Sequence, residues 1–145
     1  MQIVYITKGL PGSGKTTWTK ALTKKDRSFK RINRDDLRTM IYDGIWTNER
    51  ENAVLRAREA IIYEFLNVGY NIVLDDTNLD PFRMDETLKL LYVWLANSKD
   101  RELDIKIKDF TDVPLEVCLA RNAARPENKR VPETFIKSYY NKYIK

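Results

Sequence analysis

An α/β fold, with a mostly parallel sheet of about four or five strands covered by helices on both faces, is what this 145-residue sequence predicts. Three observations carry that reading. Short apolar runs alternate with segments of helical period from one end of the chain to the other. A glycine-rich loop joins the first apolar run to the first helical segment. The conspicuous polar clusters directly follow the apolar runs, at what become the carboxyl ends of strands, where open parallel sheets bind their ligands. No repeat, low-complexity stretch or long linker interrupts the pattern, and the length suits one domain spanning residues 1–145.

Element by element, Ile3-Val4-Tyr5-Ile6 reads as a buried strand and Lys15 to Lys24 as the helix that follows it. Phe29 to Asn33 is a second short strand, Asp35 to Ile41 a short helix, and Tyr42 to Thr47 a loop with Gly44 and Trp46. Asn48 to Glu51 has the spacing of a capping box, opening a long helix to Asn67 with Val54, Ala57, Ile61 and Phe65 on one face. Gly69 ends it, and Asn71 to Leu74 is a third buried strand. Asp80-Pro81 supplies a cap and a first-turn proline for a helix through Leu91 and Trp94. Leu103 to Phe110 alternates as a fourth strand, and helices are expected from about Pro114 to Asn122 and from Pro132 onward. The stripe Phe135, Ile136, Tyr139, Tyr140 and Tyr143 is expected to be core.

Gly9-Leu10-Pro11-Gly12-Ser13-Gly14-Lys15-Thr16 completes the pattern G-x-x-x-x-G-K-[ST], which makes this a P-loop NTPase-type domain. The glycines let backbone N–H groups turn inward around phosphate oxygens. Lys15 is placed to reach the outer phosphates of a nucleoside triphosphate, and the Thr16 hydroxyl to ligate Mg²⁺. ATP and Mg²⁺ are therefore the expected cofactors.

Composition narrows the setting. No apolar stretch approaches the ~18 residues of a membrane span, and the N-terminus runs straight into a strand without a signal peptide. The lone cysteine, Cys118, has no internal disulfide partner and is expected in the core of a protein of the reducing cytoplasm. With no histidine, a general base has to be a carboxylate, and a histidine-ligated metal site is excluded. The net charge of +5 resides wholly in residues 121–145, which hold seven Lys/Arg against two Asp/Glu. Such clustering suits a polyanion, either nucleotide phosphates or a nucleic-acid backbone.

The second and third strands end in Asn33-Arg34-Asp35-Asp36 and Asp75-Asp76-Thr77-Asn78. A phosphoryl transferase needs a group to receive the acceptor hydroxyl's proton, and Asp35 is the best candidate, although helix capping would explain it equally well. The Asn-Lys-x-Asp pattern of guanine readers is absent.

Gly12 to Trp18, Ile32 to Arg38 and Asp76 to Leu79 resemble, in order, the kinase domain of the bacteriophage polynucleotide kinases of the T-even type. Asp112-Val113-Pro114, Arg121-Asn122 and Val131-Pro132 extend the similarity over most of the chain. The resemblance implies transfer of the γ-phosphoryl of ATP to the 5′-hydroxyl of DNA or RNA. It implies Asp35 as base, Arg38 on the acceptor's phosphate, and Lys15 and Thr16 on ATP and Mg²⁺, with Gly12, Ser13, Gly14 and Thr17 in the same loop. Arg34, Asp76 and Thr77 would line the acceptor site. A lid of about residues 122–130 would bring Arg125, with Arg121 beside it, over the donor phosphates. The Asp-x-Asp-x-Thr signature of the family's phosphatase domain is absent, so no 3′-phosphatase activity is expected. Tyr42 and Trp46 are candidates either for stacking on an acceptor base or for packing. Other readings stay open: a kinase of hydroxymethylated pyrimidines in DNA, a nucleoside or sugar kinase, and an ATP-gated binding module. No protein partner can be inferred.

Overall fold

Residues 1–43 and 47–145 are described by a computed structural model; Gly44 and Trp46 of the predicted loop lie outside them. The strands are β1 (Gln2–Lys8), β2 (Phe29–Ile32), β3 (Asn71–Leu74) and β4 (Leu103–Asp109). The helices are α1 (Lys15–Lys25), α2 (Arg34–Tyr42), α3 (Asn48–Val68), α4 (Pro81–Ala96), α5 (Leu115–Ala123) and α6 (Glu133–Tyr143), with a single 3₁₀ turn at Glu127–Lys129. The four strands form one all-parallel sheet in the order β2-β3-β1-β4. Register places Val4 beside Ile72 and Ile105, so β1 is interior and hydrogen-bonded on both sides.

Alternation along β1 sends its side chains to two different layers. Val4 and Ile6 are fully buried with Ile72 and Leu74 of β3, Val54, Ile62 and Leu66 of α3, and Leu91 of α4. Tyr5, between them, meets Trp18 of α1 edge-on at 5.1 Å and Phe29 at 5.8 Å. Each fully buried aliphatic chain contributes on the order of 1.5–3 kcal/mol. A second, smaller cluster, Leu10, Leu79, Cys118 and Ile136, seats α5 and α6 under the glycine-rich loop, so Cys118 is core as expected. Among the described residues, no helix is long and apolar enough to cross a membrane.

Three local expectations are corrected. Thr47, not Asn48, caps α3: its hydroxyl accepts from the Arg50 N–H at 3.1 Å, because the chain turns into the helix one residue earlier. The buried face of α3 is accordingly Glu51, Val54, Arg58, Ile62 and Leu66, while Ala57, Ile61 and Phe65 are half-buried beside it. The aromatic stripe of α6 also divides: Ile136 is buried, Tyr139, Tyr140 and Tyr143 are half-buried, and Phe135 stays 42% exposed. At the sheet edge, Ile107 of β4 is 47% exposed, since β4 pairs only with β1.

Candidate active site

A cleft of about 630 Å³ opens at the carboxyl ends of β1, β2 and β3. Its floor is the glycine-rich loop. Gly12 adopts φ +82°, and a Cβ there would lie 2.5 Å from the Cys118 carbonyl oxygen of α5. Gly14, at φ +100°, stands at the N-cap of α1 with no side chain capping the helix and no acidic residue in its first turn. The first-turn N–H groups are thus left for an anion, with the positive helix end behind them.

Lys15 is buried and turned into its own loop, donating to the carbonyls of Gly9 at 2.9 Å and Leu10 at 2.6 Å and reaching Ser13 Oγ at 3.4 Å. Burial lowers its pKa to about 8 from an ordinary 10.5, with Asp75 and Asp76 opposing the shift. A bound polyphosphate would restore the charge. Nucleotide binding at pH 9 is therefore expected to take up protons, seen as a buffer-dependent heat in calorimetry. Below pH 8 the lysine is charged in both folded and unfolded chains, and its desolvation subtracts about 3 kcal/mol of stability. From pH 8 to 10.5 only the unfolded chain holds the proton, so this contribution makes stability rise with pH. Buried Cys118, whose thiol is pushed up by burial, acts in the opposite sense. The difference between wild type and Lys15→Met isolates the lysine: the variant should lack the rise, and parallel pH profiles would contradict the assignment.

Thr16 Oγ1 donates to Asp75 Oδ2 at 3.1 Å, and Arg31 Nε donates to the same oxygen at 2.7 Å. The other Asp75 oxygen, Oδ1, is buried without a hydrogen bond. Asp75 belongs to the polar cluster after the third strand, and its contact with Thr16 gives it an individual role that the sequence does not specify. Its signal is a carboxylate directly after an apolar strand that neighbours the strand feeding the loop.

Asn33, not Asp35, caps α2. Its side chain accepts from the Asp36 N–H at 2.9 Å, so Asn33 is the cap of α2 and the Asp35 carboxylate is released from that duty. The Asp35 side chain is 81% exposed and receives one hydrogen bond, from Arg38 Nη1. Arg38 is gripped from the far side by Glu51, which accepts from its Nε at 2.8 Å and its Nη2 at 2.7 Å. This fork holds the Glu51 carboxyl below the ordinary range and the Arg38 guanidinium above it. Glu51 escaped sequence reading because its spacing from Asn48 suggested a capping box.

Asp76 is buried behind this pair. It accepts from the Arg34 N–H at 2.9 Å and lies 3.3 Å from Arg34 Nε and 3.7 Å from Arg58 Nε. Desolvation raises its pKa against the pull of both guanidiniums. The Asp76 carbonyl accepts from Thr7 Oγ1 at 2.9 Å, and the Thr77 carbonyl accepts from the Gly9 N–H at 2.9 Å, tying this segment to β1 and the loop.

The cleft brings together Gly12, Gly14, Lys15, Thr16 and Thr17 on one side and Arg34, Asp35, Arg38, Asp76 and Thr77 on the other. Ser13 is buried beneath the loop. Arg125 lines the cleft; Arg121 lies outside its wall, with Nη1 3.3 Å from the Gly12 carbonyl. The 123–130 segment is closed at its base by Asn122, which exchanges two hydrogen bonds with the Val131 backbone at 2.7 and 2.9 Å. Tyr42 packs against the main core with Arg50 over its ring, and does not line the cleft; Trp46 lies outside the described residues. The apolar wall is Val131, Pro132, Phe135 and Tyr139, the rings of the last two tilted by 33° with centroids 4.3 Å apart.

The loop, the sheet and this cleft define a phosphate-binding α/β domain, and the chain belongs to the AAA_33 family, described as an AAA domain, which matches residues 4–143. It is 26% identical to the L-seryl-tRNA(Sec) kinase of Methanococcus maripaludis over 145 residues, 97% of this chain and 52% of that protein. Among solved structures it resembles a chain of the Pnkp1/Rnl/Hen1 RNA repair complex, with TM-score 0.82 and 25% identity, covering 97% of this chain and 43% of the other. A gluconokinase from Sinorhizobium meliloti 1021 shares the fold alone, with TM-score 0.55 and 17% identity over 95% and 73% of the two chains. The chain thus spans about half the length of the curated relative, and less than half of the RNA repair chain.

Proposed function

We propose that this chain is an ATP-dependent kinase that transfers the γ-phosphoryl group to the 5′-hydroxyl of a DNA or RNA end. The observation that carries the reading is the pairing of an uncapped, exposed Asp35 with Arg38 on one wall of the cleft whose other wall is the glycine-rich loop. The residues present fit ATP and Mg²⁺. The N-terminus of α1 carries no side-chain cap and no acidic residue in its first turn, which leaves its N–H groups for phosphate oxygens, and the Thr16 hydroxyl donates to Asp75, whose other oxygen is buried without a hydrogen bond. Mg²⁺ takes one or two protein oxygens and completes its shell with phosphates and water, and Thr16 with Asp75 would supply them. Bound there, ATP and Mg²⁺ supply the transferable group and neutralise charge on it.

The protein's part is positioning and proton transfer. Asp35 Oδ2 takes the proton of the acceptor hydroxyl as the oxygen attacks. Arg38, its fork oriented by Glu51, holds the acceptor's phosphate. Lys15, held in the free protein by the Gly9 and Leu10 carbonyls, would hold the donor phosphates, and Arg125, which lines the same cleft, would add a second positive charge there. The apolar wall of Phe135 and Tyr139 suits a base. Similarity to a tRNA kinase and to a chain of an RNA repair complex supports a nucleic-acid acceptor, as does the +5 charge of residues 121–145.

Glu51 acts on Arg38 without facing the reaction itself. Glu51→Ala is expected to raise KM for a 5′-hydroxyl oligonucleotide about 10-fold or more while leaving nucleotide affinity within twofold. The reading is tested by the salt dependence of KM for that acceptor. A polynucleotide acceptor should show KM climbing steeply between 50 and 200 mM salt. Insensitivity to salt, with gluconate or a nucleoside as a better acceptor, would identify a small-molecule kinase.

A further inference from the structure

A second groove, of about 340 Å³, lies between α3 and α4 and is continuous with the cleft through Arg34 and Arg83, which line both. Its cations are Arg34, Arg58, Arg83 and Lys89; its carboxylates are Glu59 and Glu86. Arg83 Nη1 is paired with Glu86 at 2.8 Å. Arg58 is 5% exposed, and its Nη2 donates to Thr87 Oγ1 at 3.3 Å. Deeper in, Arg34 and Arg58 share the single carboxylate of Asp76, and the Nε atoms of both arginines are buried without a hydrogen bond. Both Nε atoms face Asp76 Oδ2 itself, so what is left for a ligand is the charge: two guanidiniums share one buried carboxylate, an excess that an anion in the groove would offset. A phosphate oxygen is the acceptor that matches a guanidinium fork.

We infer that this groove holds the internal phosphodiesters of the polynucleotide acceptor, with Arg34, Arg58, Arg83 and Lys89 receiving the backbone beyond the phosphate that Arg38 holds. The inference rests on the proposed polynucleotide acceptor and adds where its strand leaves the cleft.

The test uses Lys89→Ala and Arg83→Gln, at exposed and half-buried positions respectively, so that folding is not at stake. Binding of 5′-O-methyl single-stranded oligonucleotides is followed by anisotropy as a function of length and salt, needing no phosphoryl transfer. Wild type should gain affinity as the strand lengthens from a dinucleotide to about six nucleotides. Each variant should lose part of that gain, and its slope of log affinity against log salt should fall by about 0.7. Length dependence and salt slope unchanged in both variants would overturn the groove assignment, even where 5′ ends are labelled from ATP. Slopes that fall as expected in a protein that labels no 5′ end would retain the groove and overturn the acceptor reading. Wild type that binds no oligonucleotide would overturn both.

Discussion

Asp35→Asn is expected to lower kcat for phosphoryl transfer by about 10²–10⁴-fold while leaving fold and nucleotide affinity almost untouched. The physical reason lies in the division of labour at the start of α2. Asn33 caps the helix, so Asp35 is not needed to satisfy its first N–H groups. The Asp35 side chain is 81% exposed, and the substitution is isosteric, so no cavity or clash results. Arg38 keeps both hydrogen bonds to Glu51 and therefore its orientation. The loss near the helix N-terminus is at most about 1 kcal/mol of dipole interaction, and Asp36 remains in that first turn. Besides the proton acceptor, the variant loses the charge of the exposed Asp35–Arg38 pair, which contributes little at such a position. Single-turnover transfer rates, read beside nucleotide titrations and thermal melts, separate these effects. A variant that keeps more than a tenth of wild-type kcat would show that Asp35 is not the base.

Gly12→Ala has the largest expected effect on stability, about 2–6 kcal/mol, from two independent causes. The residue sits at φ +82°, where a side chain is strained by about 1–3 kcal/mol. Its Cβ would also lie 2.5 Å from the Cys118 carbonyl oxygen, a backbone atom fixed in α5, which has no flexible end to move aside; overpacking of that kind costs about 1–3 kcal/mol. Gly69→Ala is the control. It has φ +103° but open space around the added carbon, so it carries the backbone strain alone. Urea unfolding should rank wild type above Gly69→Ala and Gly69→Ala above Gly12→Ala, with nucleotide affinity lost only in Gly12→Ala. Equal stability of the two variants would refute the clash.

The fold was readable because its signals are local. Asp80-Pro81 set the start of α4, Gly69 the end of α3, and four apolar runs set the strands with errors of a residue or two. The errors came where tertiary contacts choose between local options. Thr47 and Asn48 are both competent caps, and only the observed turn selects Thr47. That shift of one residue moved Glu51 from a presumed cap role into the cleft, where it grips Arg38. The loop residues were legible from motif alone, since the backbone chemistry of phosphate binding fixes their spacing. Asp75 and Arg58 were not, because each acts through a partner far away in sequence: Thr16, 59 positions from Asp75, and Asp76, paired with Arg58 across two elements. Between stacking and packing, the two roles open to Tyr42, tertiary contacts also decide. Tyr42 and Phe135 both carry a ring, and packing puts Tyr42 against the core and Phe135 in the cleft.

Transfer of labelled γ-phosphate from ATP in Mg²⁺, with Asp35→Asn in parallel, tests the central claim on two oligonucleotides. One carries a free 5′-hydroxyl and ordinary bases; the other has a blocked 5′ end and internal hydroxymethyl-pyrimidines. Label on the first alone, lost in Asp35→Asn, is the predicted result. Label on the second alone would make the acceptor a modified base, and label on neither would contradict a polynucleotide acceptor altogether.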